Sequence, residues 1–156
     1  MNNKSNVSRE TSEMNEKYMN IAIKEAKKSY KKGEIPVGAV IIKNNKIISK
    51  AHNKKEKMKN PIKHAEIIAI EKACKKQKNW RLNDCTIYIT MEPCLMCCGA
   101  IIHSRMKKIV YCVENHNFGY TKKIKEILEN EKILVEKIEQ ENQIQNMLKE
   151  FFKKKR

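Results

Sequence analysis

Four side chains in this sequence have the types and spacing for metal-assisted hydrolysis. His64 and Glu66 open one apolar segment, and Cys94 and Cys97, led in by Pro93, open another. One imidazole and two thiolates make a three-ligand zinc set, and the fourth tetrahedral position left to water marks catalytic rather than structural zinc. Glu66 would be the proton carrier. A lone C-x-x-C pair would serve equally as half of a zinc knuckle or as two buried thiols. His64-x-Glu66 and Pro93 at this separation favour the catalytic reading. In a regular helix residues two apart lie about 200° apart, so His64 and Glu66 reach one site only if His64 stands at the first, still unwinding position. A mid-helix His64 would defeat the assignment. Cys98 follows Cys97 but is turned by about 100° on a helix; with Cys74, Cys85 and Cys112 it is expected to be a reduced core thiol.

The elements that must position these groups can be read from periodicity. Residues 1–14 are polar and aperiodic and are expected to form a disordered leader, with one domain over 15–156. A helix carries Tyr18, Ile21, Ala22, Ala26, Ser29 and Tyr30 and stops at Gly33, ahead of Pro36. Two β-rich runs, 37–43 and 46–51, are joined by Asn44-Asn45, a pair that tolerates the left-handed conformations of a tight hairpin. A charged loop leads to a helix over 65–76, then a strand over 86–91. Pro93 is placed at the first position of a second ligand-bearing helix. A strand over 108–113, a loop with Gly119, a short helix from Thr121 and a strand over 133–138 follow. The last helix aligns Ile144, Met147, Leu148, Phe151 and Phe152 before the basic end Lys153-Lys154-Lys155-Arg156. Five strands and five helices beginning with a hairpin argue for an α/β fold: a five-stranded mixed sheet with helices on both faces.

The chain has 156 residues, with 34 Lys and Arg against 18 Asp and Glu, a formal charge of +16. That excess makes a polyanionic partner plausible, although a Lys-rich composition also scatters solvated lysines over every face. The N-terminus lacks the order of a signal peptide and no run is long and apolar enough to span a bilayer, so a cytoplasmic location is the expectation.

The H-x-E…P-C-x-x-C arrangement is the signature of the zinc nucleobase deaminases. With the Glu92 lead-in, Gly99-Ala100, Ile101-Ile102-His103-Ser104-Arg105 and Ile35-Pro36-Val37-Gly38-Ala39-Val40, the sequence over about 17–156 closely resembles the bacterial tRNA-specific adenosine deaminases. The signature alone marks only the cytidine/deoxycytidylate deaminase superfamily; the flanking blocks favour the tRNA enzymes. The resemblance implies a three-layer α/β/α cytidine deaminase-like fold, a homodimer with one Zn²⁺ per subunit, and conversion of adenosine to inosine at the wobble position of a tRNA anticodon stem-loop. It implies His64, Cys94 and Cys97 as ligands and Glu66 as the group that moves protons from water to adenine and to the departing ammonia. It also implies that Asn53 hydrogen-bonds the base, that the Ala65 backbone touches it and that Ile35 and Val37 wall the pocket. On residue type alone Asn53 reads as an ordinary loop Asn after a strand.

Two further regions follow from the resemblance. Where family members commonly carry Arg-Asp after the fourth strand, this chain has Glu114-Asn115, in a loop that in the family lies against the nucleotides flanking the target. The exchange is expected to redistribute substrate grip and to relax discrimination against deoxyribose. Phe151, Phe152, Lys153 and Arg156 are candidates for RNA contact, with the aromatic stripe serving otherwise as core and the basic end as a helix-dipole partner. The rival functions are a free-nucleobase or nucleotide deaminase with the same chemistry, and a non-catalytic RNA-binding zinc protein. Neither a free-base substrate nor a structural zinc site explains both the charge excess and Glu66.

Overall fold

The computed structural model describes residues 3–155, so Arg156 lies outside the described residues. The elements are α1 (Asn3–Lys31), β1 (Gly38–Lys43), β2 (Lys46–His52), α2 (Ala65–Gln77), β3 (Thr86–Met91), α3 (Leu95–His103), β4 (Lys108–Val113), α4 (Lys125–Asn130), β5 (Leu134–Lys137) and α5 (Asn142–Lys154). The strands form one sheet in the order β2-β1-β3-β4-β5. β1 runs antiparallel to β2 and β3, while β3, β4 and β5 are parallel to one another.

The period-2 alternation of the strands divides the core into two layers. Ala39, Ile41, Ile87, Ile89, Ile109 and Tyr111 point to one face, where Ala65, Ile68 and Ala69 of α2, Ile101 of α3 and Leu128 of α4 cover them. Val40, Ile42, Tyr88, Val110 and Cys112 point to the other, covered by Tyr18, Met19, Ala22, Ile23 and Ala26 of α1 and by Ile144 and Leu148 of α5. The result is the expected three-layer α/β/α arrangement. The central strands β3 and β4 are buried on both faces along most of their length, so they read as near-continuous apolar runs interrupted at Thr90.

Asn44 and Asn45 take φ of 48° and 58°, closing the β1–β2 hairpin as their residue types suggested. Gly33 at φ 73° ends the first helical segment. Gly38 serves a different purpose: a Cβ there would overlap the Ala22 carbonyl oxygen, so its lack of a side chain lets α1 lie directly on the start of β1. The N-terminal end differs from the sequence expectation. α1 starts at Asn3, so residues 3–14 are helical rather than an irregular leader. The side chains of residues 6–13 are exposed, which explains the missing apolar period; from Asn15 onward the helix is docked. The buried Asn15 accepts a hydrogen bond from the Tyr88 hydroxyl at 2.7 Å and donates to Glu136 at 3.2 Å.

Candidate active site

Two helix starts converge below the sheet's C-terminal end. His64 is the N-cap of α2, with an extended backbone at φ −70° and ψ 156°, so its imidazole and the side chain of Glu66, one residue into the helix, both reach one site. Cys94 is likewise the extended N-cap of α3, at φ −74° and ψ 173°. Pro93 therefore sits one position ahead of the cap instead of at the first helical position. The cause is tertiary: Cys94 forms a β-bridge with Gly119, and the Pro93 carbonyl accepts the Tyr120 N–H at 3.1 Å, which keeps both residues extended. Cys97 lies in the first turn of α3 and is fully buried.

His64 Nδ1 stands 3.7 Å from Cys94 Sγ and 3.6 Å from Cys97 Sγ. For tetrahedral zinc with Zn–S of about 2.3 Å and Zn–N of about 2.0–2.1 Å, the N···S separation works out at about 3.5–3.6 Å. Both nitrogen–sulfur separations already match what a shared zinc ion imposes, and all three donors lie within 4.8 Å of one another. Among the described residues they are the one set of three or more His, Cys, Asp or Glu side chains so gathered. Cys98 is outside it, its thiol turned to the Pro93 carbonyl at 3.7 Å and pushed up by burial to about 12. Cys97 shares its proton with Cys94, which holds the Cys94 thiol at about 4 against the opposing effect of burial, with help from His64. That contact and burial push Cys97 upward. One thiolate is thus favoured before a metal supplies any charge.

Glu66 is 4% exposed, and its Oε2 has no hydrogen-bond partner. Burial raises its carboxyl above the usual range, with His64 opposing. An unpaired buried carboxylate oxygen is costly. It is suited to a ligand or a water beside the His–Cys set. The cavity in front of it measures about 360 Å³, in the range of small-molecule sites. Ile35, Val37, Asn53, Ala65 and Asn115 line it together with His64, Glu66 and Cys94. Asn53 has half of its amide committed: Oδ1 accepts the Lys55 N–H at 3.1 Å and Nδ2 reaches the Ile35 carbonyl at 3.4 Å. One donor and one acceptor remain.

The family of the cytidine and deoxycytidylate deaminase zinc-binding region matches residues 12–113. The chain belongs to that family. Its metal is zinc, for which the His64, Cys94 and Cys97 set is the fitting site. The chain is similar over nearly its whole length to the tRNA-specific adenosine deaminase of Aquifex aeolicus (strain VF5), 39% identical across 90% of this chain and 95% of that one. Among solved structures it is similar to one from a study of A-to-I editing by tRNA:A34 deaminases at the wobble position of transfer RNA, with a TM-score of 0.66 and 30% identity over 67% of this chain and 81% of the other. It is also similar to a guanine deaminase from Bacillus subtilis, with a TM-score of 0.63 and 37% identity over 72% and 75% of the two chains.

Other candidate residues of this deaminase lie away from the cavity. Glu114 points outward, paired with Lys122 at 2.9 Å and near His116 at 3.8 Å. Phe151 is buried, whereas Phe152, set edge-to-face against it at 5.4 Å, is half exposed, and Lys153 is exposed. α5 is fastened to α1 by Tyr30, whose hydroxyl donates to Glu150 and accepts from Lys154, both at 2.9 Å.

The cavity also includes Lys55, Met91, Glu92 and Phe118, none of which the sequence marked as a site residue. Phe118, 68% exposed at the cavity edge, had one visible signal: an aromatic in a loop that otherwise reads Glu-Asn-His-Asn. Glu92 had none. Its buried carboxylate accepts the Asn115 N–H at 3.3 Å and the Thr121 hydroxyl. Gly119 packs so closely that a Cβ there would overlap the same carboxylate. Glu92 thereby fastens the loop that carries Asn115 and Phe118.

Proposed function

We propose that this deaminase hydrolyses adenosine to inosine at the wobble position of tRNA anticodons, releasing ammonia. The observation that carries the reading is Glu66 Oε2, buried and unpartnered at the wall of the cavity, beside three metal-ligating donors gathered within 4.8 Å of one another. Zinc held by His64, Cys94 and Cys97 would supply the Lewis acidity that lowers the pKa of water there. Glu66 takes a proton from the attacking water and passes it to the purine ring nitrogen; once the hydroxyl has added to the ring carbon, Glu66 takes its remaining proton and delivers it to the amino group, so that the C–N bond breaks as the carbonyl forms and ammonia leaves. Asn53 fixes the base through its free donor and acceptor, and Ile35 and Val37 exclude water from the faces of the ring. The cavity admits one base, so the target nucleotide enters unstacked from its neighbours.

Support for an RNA substrate comes from the +16 formal charge and from likeness to tRNA-acting deaminases. The exposed Phe152 and Lys153 on α5 add a surface for the anticodon stem, and Asn115 with Phe118 faces the nucleotides around the target. A cytoplasmic site of action accords with that substrate, and among the described residues no helix is long and apolar enough to cross a membrane. A homodimer is part of the same reading. Met58, Ile62 and Leu95, about half exposed on the segments next to His64 and Cys94, favour it, and light scattering on the purified protein measures it.

Free guanine deamination is the second reading, favoured by the likeness to the Bacillus subtilis guanine deaminase. The deciding experiment measures inosine in a stem-loop bearing a wobble adenosine, beside a panel of free nucleobases. Inosine that is lost in Glu66→Ala and falls steeply with added salt fits the tRNA reading. Ammonia from guanine without inosine in the stem-loop would replace it with the free-base reading.

A further inference from the structure

α1 contributes no residue to the cavity, yet two of its buried side chains one helical turn apart grip consecutive residues at the end of β2. Glu25 accepts the His52 Nδ1–H at Oε2, 3.0 Å away, and the Lys28 ammonium at Oε1, 2.6 Å away. Ser29 donates its hydroxyl to the Asn53 carbonyl at 3.1 Å. The β1–β2 pairing ends at Gly38↔His52, so Asn53 is the first residue beyond the ladder. Its backbone is then held by the Val37 carbonyl, which accepts the Asn53 N–H at 3.1 Å, and by Ser29. We propose that Glu25 and Ser29 are positioning residues for Asn53, fixing the end of β2 so that the free half of its amide faces the substrate base. This rests on the reading of Asn53 as the base-contacting residue.

The composition of the grip argues for direction over stability. A buried carboxylate and imidazole are no better for stability than well-packed apolar groups of the same volume. Here the arrangement also leaves His52 Nε2 buried without a partner, which costs free energy. An apolar pair would avoid that cost but would allow β2 to slide. A directional hydrogen bond on His52 and another on Asn53 fix both the height and the rotation of the strand end. A rotation of Asn53 would exchange its free donor and acceptor for those now spent on Ile35 and Lys55.

The test is a double-mutant cycle with Asn53→Ala, read as kcat/KM on a wobble-adenosine stem-loop. Ser29→Ala is expected to lower kcat/KM about tenfold in the wild-type background, the size of one lost buried hydrogen bond. In the Asn53→Ala background the loss is expected to shrink to about twofold or less. Glu25→Gln, which keeps an acceptor for His52, is expected to retain more activity than Glu25→Ala. Equal factors in both backgrounds, or an Asn53→Ala variant as active as wild type, would overturn the proposal. A second readout does not need turnover. The Asn53 side-chain amide should give one sharp pair of resonances in a nitrogen-edited NMR spectrum, broadened in Ser29→Ala, and an unchanged pair there also overturns the proposal. A wild-type enzyme that makes no inosine would remove the tRNA reading, and the amide spectrum would still decide whether the grip positions Asn53.

Discussion

Removing the Glu92 carboxylate should loosen one wall of the active site by a calculable amount. Glu92 is buried and accepts two hydrogen bonds from a single loop, the Asn115 N–H at 3.3 Å and the Thr121 hydroxyl. Bonds to a charged acceptor contribute about 1.5–3 kcal/mol each; the first is long and belongs at the low end, so Glu92→Ala is expected to cost about 3 kcal/mol. For a domain of this size that is a fall in Tm of roughly 6–12 °C. Thr121→Val, which removes one of the two, should cost about half as much, and the double variant less than the sum. Chemical denaturation gives the stability, and steady-state kinetics on a stem-loop well below the transition gives the activity. KM should rise, because Asn115 and Phe118 no longer stand fixed at the cavity. A loss below about 1 kcal/mol with unchanged KM would refute the reasoning. The loop would then be held by its own Asn115–Gly119 and Asn115–Phe118 bonds, at 2.8 and 3.1 Å.

Acidification gives a second prediction. Burial, with Lys32 and Lys54 nearby, holds His52 below its ordinary 6.5 despite Glu25. Burial would raise Glu25, but the hydrogen bonds from Lys28 and His52 outweigh it and hold its carboxyl below the usual range. Both folded-state values are depressed, so their contributions are complete above the unfolded values and are lost as pH falls. Tm should therefore decline as pH drops below about 6.5, and His52→Gln should flatten the first part of that decline; a wild-type Tm constant from pH 7 to 5 would contradict it. Phe118→Ala should raise KM for the stem-loop by about 5- to 100-fold with little change in kcat, and Phe118→Tyr should restore it, if the exposed ring stacks on a flanking base. Asn115→Asp keeps the acceptor for the Phe118 N–H but turns the amide into an acceptor-only group that suits a ribose 2′-hydroxyl. It should increase the preference for RNA over a matched single-stranded DNA hairpin, and identical ratios for the two proteins would reject that.

The local rules of the chain were legible before any coordinates. Short β-rich apolar runs marked β3 and β4, Asn44-Asn45 marked the hairpin turn, the apolar period marked α2 and α5, and Pro93 marked the start of the α3 segment. His64, Glu66, Cys94 and Cys97 could be grouped because metal chemistry limits which residue types stand together, even thirty positions apart. Other features depended on contacts between segments distant in sequence. The helical state of residues 3–14 left no apolar period to read, because the side chains of residues 6–13 face solvent. Pro93 lies outside α3 because the Gly119–Tyr120 segment pairs with its neighbourhood, an interaction no local propensity encodes. Glu92 stood in the sequence only as the lead-in to Pro93-Cys94 until the loop after β4 closed over it, and the pairing of Glu25 with His52 exists only because α1 packs on β2. Sequence by itself determined which chemistry this protein can perform, since ligand and proton-carrier identity is a property of residue type. Only the tertiary structure decided which polar groups are buried against one another, because burial and hydrogen-bond pairing arise from packing elements that the chain joins through long connections.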